Sequence, residues 1–188
     1  MKFPLLKREY RSLIDTGIFI ITLLAANALW KLSVSGDEYG EVVTWFGLDA
    51  SLFFDVITRH VANVVFWIVS HLRSTAHFVN ESVILFDTGA STAIVWGCAG
   101  VKQTFIYIIL LLTTLRSWRD KWIYIPIGLV VCYLFNILRI VIITLVIEYH
   151  QEYFEFLHAY FFKYLFYGVM FLLWRHLVEN SKPTFSER

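Results

Sequence analysis

The sequence predicts an all-α polytopic membrane protein of about four to five transmembrane helices. A small extracytoplasmic β-hairpin precedes Cys98. Three observations carry this. First, 58% of the 188 residues are hydrophobic and only 16% charged, against about 25% charged in soluble domains; mean hydropathy is +0.63. Second, apolar runs long enough to cross a bilayer, which takes about 20 helical residues, alternate with charged links. Third, one stretch, 83–96, has the composition of paired strands. The pattern reads as a single domain over 1–188. The net charge of +1 points to no nucleic-acid partner. Of the two cysteines, Cys98 lies at a segment boundary and Cys132 inside an apolar run, so no disulfide is expected.

Lys2, Lys7, Arg8 and Arg11 outnumber Glu9 before the first apolar run, which marks a cytoplasmic N-terminus. No small-x-small cleavage site follows, so this run is read as retained. Residues 13–30 form the first span, apolar but for a few residues such as Asp15, Thr16 and Thr22. Residues 31–50, with Gly36, Asp37, Glu38, Gly40, Glu41, Gly47 and Asp49, read as an acidic, glycine-rich external loop. Residues 51–77 look helical, but Asp55, Arg59 and Asn63 recur every four residues as a polar stripe. That suits a helix in the outer interface or one packing its stripe on others. The expectation is the external or partly embedded position, because one crossing before the hairpin keeps Cys98 outside.

Val83-Ile84-Leu85-Phe86, the turn Asp87-Thr88-Gly89-Ala90-Ser91, and Thr92 to Trp96 read as a β-hairpin. Open strand edges are not tolerated in lipid, so it belongs outside. Residues 101–115 then cross inward to a short basic turn (Arg116, Arg119, Lys121). Residues 122–147 cross outward, with Pro126 and Gly128 early and Asn136 and Arg139 inside. A short acidic loop leads to the last span, 156–174. Arg175, His176, Lys182 and Arg188 then form a cytoplasmic tail.

Cys98 stands between Gly97 and Ala99-Gly100, at the start of the 101–115 helix. Unpaired N–H groups and the helix dipole favour a thiolate at such a position. Lys102, at i+4, adds positive charge on the same side. Arg139 is an intramembrane charge, costly and functional by default; its long side chain can snorkel toward the outer face. Asn136, at i−3, shares its helix face and is placed to orient the guanidinium. His158 opens the last span on the same side. Together these suit acyl transfer from a peptide: Cys98 as nucleophile, His158 as general base and acid, Arg139 against the oxyanion. Glu155, at i−3 from His158, is placed to hold one imidazole tautomer.

At these residues the chain resembles the exosortase/archaeosortase family of membrane transpeptidases. The resemblance rests on Cys98-Ala99-Gly100 (Cys-x-Gly) opening a span, Asn136 to Arg139 (Asn-x-x-Arg) inside the next, and His158 opening the last. It covers about half the chain, residues 83–174, and the compact size is similar to short Bacteroidetes-type members. The resemblance implies Cys98, Arg139 and His158 as catalytic residues, with Gly100 as part of the motif. It implies a multi-pass protein of the bacterial cytoplasmic membrane whose site faces the exterior. The substrates implied are exported proteins ending in a short motif, a transmembrane helix and a basic cluster, passed on to a lipid or glycan acceptor. No metal or cofactor is implied. Ala99 departs from the family pattern, where Ser, Thr or Asn is common.

The bland readings are these. Cys132 is core packing. His60, His71 and His77 are too scattered for a metal site, and no His-Glu-x-x-His spacing occurs. His150 and His176 are interfacial. Lys102 and Lys163 anchor headgroups or touch substrate. In the competing function class the chain is a non-catalytic subunit of a secretion or polysaccharide-assembly system, or a small transporter. Arg139 then pairs with Glu148 or a helix carbonyl, and Cys98 is inert.

Overall fold

The structure is a computed structural model and describes residues 8–37, 42–114 and 116–180. Lys2, Lys7, Glu38, Gly40, Glu41, Lys182 and Arg188, and the side chains of Arg8 and Arg11, lie outside the described residues. Among the described residues there are five α-helices: α1 (Arg8–Ser33), α2 (Ser51–Leu72), α3 (Val101–Thr113), α4 (Trp118–Ile147) and α5 (Phe162–Asn180). Two small antiparallel sheets sit between them. One holds β1 (Val34–Gly36), β2 (Val43–Trp45) and β3 (Leu48–Asp49) in that order, the other β4 (Ala76–Val79), β5 (Val83–Phe86) and β6 (Ser91–Ala93).

Among the described residues, four segments are long and apolar enough to cross a membrane: Leu13–Ser33, Ser51–Leu72, Trp118–Ile147 and Gln151–Asn180. The outward surfaces of α1, α4 and α5 fit lipid. Leu24 is 63% exposed, Leu134 59% and Leu172 65%, an arrangement that water would penalise and hydrocarbon would not. The predicted hairpin is present as β5 and β6, paired Val83↔Ala93, Ile84↔Thr92 and Leu85↔Ser91.

Three expectations need correction. The supposed loop 31–50 contains β1, β2 and β3; strands of two or three residues are too short to show a period. The helix predicted over 51–77 ends at Leu72, and Ala76–Val79 instead forms a third strand on the hairpin, with Ala76 opposite Phe86. The 101–115 span is helical only to Thr113, about 20 Å at 1.5 Å per residue, too short to cross a bilayer core of about 30 Å by itself.

The 30 residues of α4 reach about 45 Å, and two separate cores divide its length. Around its N-terminal half, α1, α3 and α5 bury Phe19, Tyr107, Leu110, Cys132, Met170 and Trp174. Gly128 makes this possible, since a Cβ there would lie inside the Tyr107 ring. The Tyr107 hydroxyl donates to the Tyr124 carbonyl at 2.8 Å. The far end is tied by Arg116, which meets Asp15 of α1 at 3.3 Å and the Val178 carbonyl of α5 at 3.2 Å. Thus a charge predicted to mark a turn also ties α1 and α5 to the α3–α4 connection. Cys132 sits in this apolar core, as packing would have it.

Around the C-terminal half of α4, α2 and the second sheet bury Val61, Val65, Val69, Ile84, Phe86 and Ile94 against Ile137, Ile140 and Val141. His60 of α2 bonds the Tyr133 hydroxyl at 2.9 Å, and Arg73 just beyond α2 pairs with Glu148 at 3.2 Å. So α2 accompanies the second half of α4, α1 and α3 the first, and α5 mostly the first, although its Phe162 packs with Ile143 and Ile147 near the other end. A third, aromatic cluster of Trp30, Trp45, Phe54, Trp96 and Phe105 joins the two regions.

Candidate active site

The site forms at the seam between the two cores. After β6 the chain stays extended through Val95, then makes a 3-10 turn over Trp96–Cys98. The Cys98 N–H donates to the Val95 carbonyl at 2.8 Å. Gly100 follows in the left-handed region (φ 81°) and caps α3, which starts at Val101. Cys98 therefore stands two residues ahead of the helix cap rather than in its first turn.

Gly100 has two reasons to be glycine. A side chain would strain its backbone. A Cβ would also come within 3.0–3.3 Å of the Asn136 side chain. That side chain has work to do: Asn136 Nδ2 donates to the Cys98 carbonyl at 2.8 Å. Helical spacing alone assigns Asn136 to orienting Arg139, but its amide N–H instead holds the cysteine loop against α4. Two motifs that look independent along the chain are parts of one contact.

His158 arrives from the other side. Residues Phe156–Phe161 form a π-helical turn between a short 3-10 turn and α5, a local widening that is frequent at functional sites. It brings His158 Nε2 to 3.9 Å from Cys98 Sγ. The imidazole lies flat against Phe154, with ring centroids 5.2 Å apart and planes 10° apart. Glu155 does not hold it: the carboxylate is exposed and makes no hydrogen bond or ion pair among the described residues. The wider π turn breaks the i, i+3 alignment on which that expectation relies.

Arg139 lies one helical turn beyond Asn136 on α4. Its guanidinium is half-buried and within electrostatic range of Cys98. Its Nε is buried without a partner. Glu148, the bland partner, is taken by Arg73 and Thr75. Asn136, Arg139, Cys98 and His158 all line one cavity of about 610 Å³. Lys102 and Lys163 line it too, and Lys31 and Lys163 are both close enough to repel the Lys102 charge. Among the described residues that line it none is a carboxylate, so the fixed charges on the cavity wall, from Lys102, Arg139 and Lys163, are all positive.

The other histidines have local partners: His60 with Tyr133, His71 with the Trp67 carbonyl, His77 with Asp87, His150 with Glu152 and His176 with Asn180. No group of three or more His, Cys, Asp or Glu side chains placed to hold a metal occurs among the described residues. Two residues carried no expectation. Phe154, at i−4 from His158, supplies the stacking surface, and an aromatic at that spacing is its one sequence signal. Gln103 lines the cavity with its Oε1 buried and unpartnered; nothing in its sequence setting singles it out.

A family model described as transmembrane exosortase matches residues 42–175. The chain belongs to that family. The match takes in α2, both halves of the site and most of α5, and with the apolar helices it makes this exosortase family member a multi-pass membrane protein. No curated protein and no solved structure gives a significant match.

Proposed function

We propose that the protein is a membrane cysteine transpeptidase or endopeptidase that cleaves the C-terminal sorting signal of exported proteins. The observation that carries this reading is the 3.9 Å approach of Cys98 Sγ to His158 Nε2 on a cavity that Arg139 also lines. The thiol proton passes to His158, and the thiolate attacks the scissile carbonyl carbon. The resulting oxyanion is stabilised by Arg139, whose charge is strongest where water is scarce. The C–N bond then breaks. His158 returns its proton to the amine of the departing helix fragment, leaving a thioester on Cys98. An acceptor amine or hydroxyl, deprotonated by His158, attacks the thioester and frees the thiol; water in its place gives hydrolysis. Lys31, Lys102 and Lys163 suit an anionic lipid headgroup or acceptor near that step.

A bacterial cytoplasmic membrane with the site toward the exterior fits the helix arrangement. One slab of about 30 Å accommodates α1, α3, the first two-thirds of α4, and α5. It leaves α2 and the second sheet on the exterior side, with Cys98 near the boundary. The substrate's transmembrane helix then reaches the cavity laterally, with its motif above.

The test is mass spectrometry for Cys98 joined to a truncated exported protein that ends in a motif, a transmembrane helix and a basic tail. Cys98→Ala should abolish processing of that protein, and Cys132→Ala should leave it largely intact. A membrane-impermeant thiol reagent should label Cys98 from outside. Normal processing by Cys98→Ala would overturn the assignment.

A further inference from the structure

We infer that the open edge of β6 binds the substrate: the extended segment preceding the scissile bond adds to the sheet as a fourth strand. The inference rests on the proposed cleavage by Cys98.

Among the described residues β6 is the last strand of its sheet, with β5 on one side and no strand on the other. The Ile94 N–H donates to the Ser82 carbonyl and the Phe86 N–H to the Ala90 carbonyl. By the alternation of an antiparallel ladder, Ala90, Thr92 and Ile94 direct their backbone groups at β5. Ser91, Ala93 and Val95 direct theirs away from it. Among the described residues the Ala93 N–H and C=O and the Val95 N–H make no hydrogen bond.

This edge leads straight to the thiol. Val95 remains extended, with φ −105° and ψ 166°, and two residues separate it from Cys98. Ala93 and Val95 line the cavity that holds Cys98 and His158. They also line a second groove, about 820 Å³, which runs between α2, β2 and the loop before β5. The unpaired amides thus stand where a peptide leaving the groove would enter the cavity.

The direction is set as well. Thr88, before β6, meets the Glu148 carbonyl at the end of α4, and Cys98, after it, meets Asn136 in the middle of α4. The strand descends toward the slab. A substrate whose folded part is outside and whose helix lies in the bilayer descends the same way, so it pairs parallel to β6. Main-chain bonds supply affinity in such strand addition, and side-chain pockets supply selectivity.

The experiment takes an exported protein that the wild-type enzyme processes. Its C-terminal region is made synthetically with one backbone N-methyl group at successive positions ahead of the scissile bond. Strand addition requires kcat/KM to fall about tenfold at every second position, the loss of one hydrogen bond and its desolvated partner, with little change between them. Uniform sensitivity, or none, overturns the inference while leaving cleavage by Cys98 standing. On the enzyme, Ala93→Pro removes one outward N–H that the sheet does not use, as edge positions allow. It should raise KM about tenfold with kcat and the Cys98 alkylation rate little changed; wild-type KM counts against the inference. The peptide scan uses the unaltered enzyme, so it decides even where Ala93→Pro fails to fold. No processing of any such protein by wild type overturns both this and the proposed function.

Discussion

Gly100→Ala tests how the cysteine loop is held. The substitution places a side chain at φ 81°, which costs about 1–2 kcal/mol for a non-glycine residue. Its Cβ also arrives 3.0–3.3 Å from Asn136 Cγ, Nδ2 and Cβ, so Asn136 must retreat and its 2.8 Å bond to the Cys98 carbonyl lengthens or breaks. Losing that bond adds about 1–2 kcal/mol, for a total of about 2–4 kcal/mol. Gly89→Ala is the control. Gly89 has φ 86° with nothing near its Cβ position, so it carries the backbone cost alone. Reversible unfolding in detergent should show Gly100→Ala about 1–2 kcal/mol worse than Gly89→Ala. Processing should separate them more sharply: a displacement of the thiol by a fraction of an ångström to 1 Å lowers the rate by up to about 100-fold, and only Gly100→Ala displaces it. In an Asn136→Ala background the cost of Gly100→Ala should shrink to the backbone part, a coupling of about 1–2 kcal/mol. Equal stability and activity for the two alanine variants would refute the claim that Gly100 and Asn136 together seat Cys98.

Gly128→Ala drives a methyl into the Tyr107 ring and should cost at least about 1–3 kcal/mol by overpacking. Gly168→Ala, in open space on α5, should be neutral or stabilising by up to about 1 kcal/mol; the same unfolding assay reads both. Arg116→Ala leaves Asp15 and the Val178 carbonyl without their partner and should cost about 2–3 kcal/mol. That is below the full penalty for an orphaned buried charge, because the Asp15 side chain is 26% exposed; a thermal shift in detergent checks it. The sheet of β1, β2 and β3 should have an acid limit. The Asp49 carboxylate accepts the Ser51 hydroxyl at 2.6 Å and the Ser51 N–H at 2.9 Å, and these bonds hold its pKa below the ordinary aspartate value. A depressed folded-state pKa contributes stability that is complete above the unfolded value and lost as pH falls through the folded one. Amide protection factors at the start of α2, taken relative to the intrinsic exchange rate at each pH, should therefore fall on acidification below the normal aspartate range, and Asp49→Asn should remove that dependence.

Short-range patterns were legible along the chain. The apolar runs show the long helices because each needs only its own composition, and Gly89 between two β-branched stretches shows the hairpin. The Cys-x-Gly and Asn-x-x-Arg spacings single out Cys98, Asn136 and Arg139, which the fold gathers on one cavity. Elements below the length of any period were not legible. β1, β2 and β3 hold eight residues between them, and β4 lay hidden behind the end of a longer helical pattern. The Glu155 expectation failed for a related reason: it presumed α-helical turns where the backbone takes a π turn.

Local sequence, then, settled that helices would form, roughly where, and which polar and charged side chains fall inside apolar runs. Tertiary structure alone decided that Asn136 reaches the Cys98 carbonyl, that a π turn swings His158 to the sulfur, and that Glu148 is drawn off by Arg73 instead of pairing with Arg139. It also decided that α2 runs beside the second half of α4. Hydropathy and helical period are set by neighbours a few residues away. These contacts join positions dozens of residues apart, and they exist only because packing around Tyr107 and around Val65 sets α3, α4 and the sheet at fixed heights.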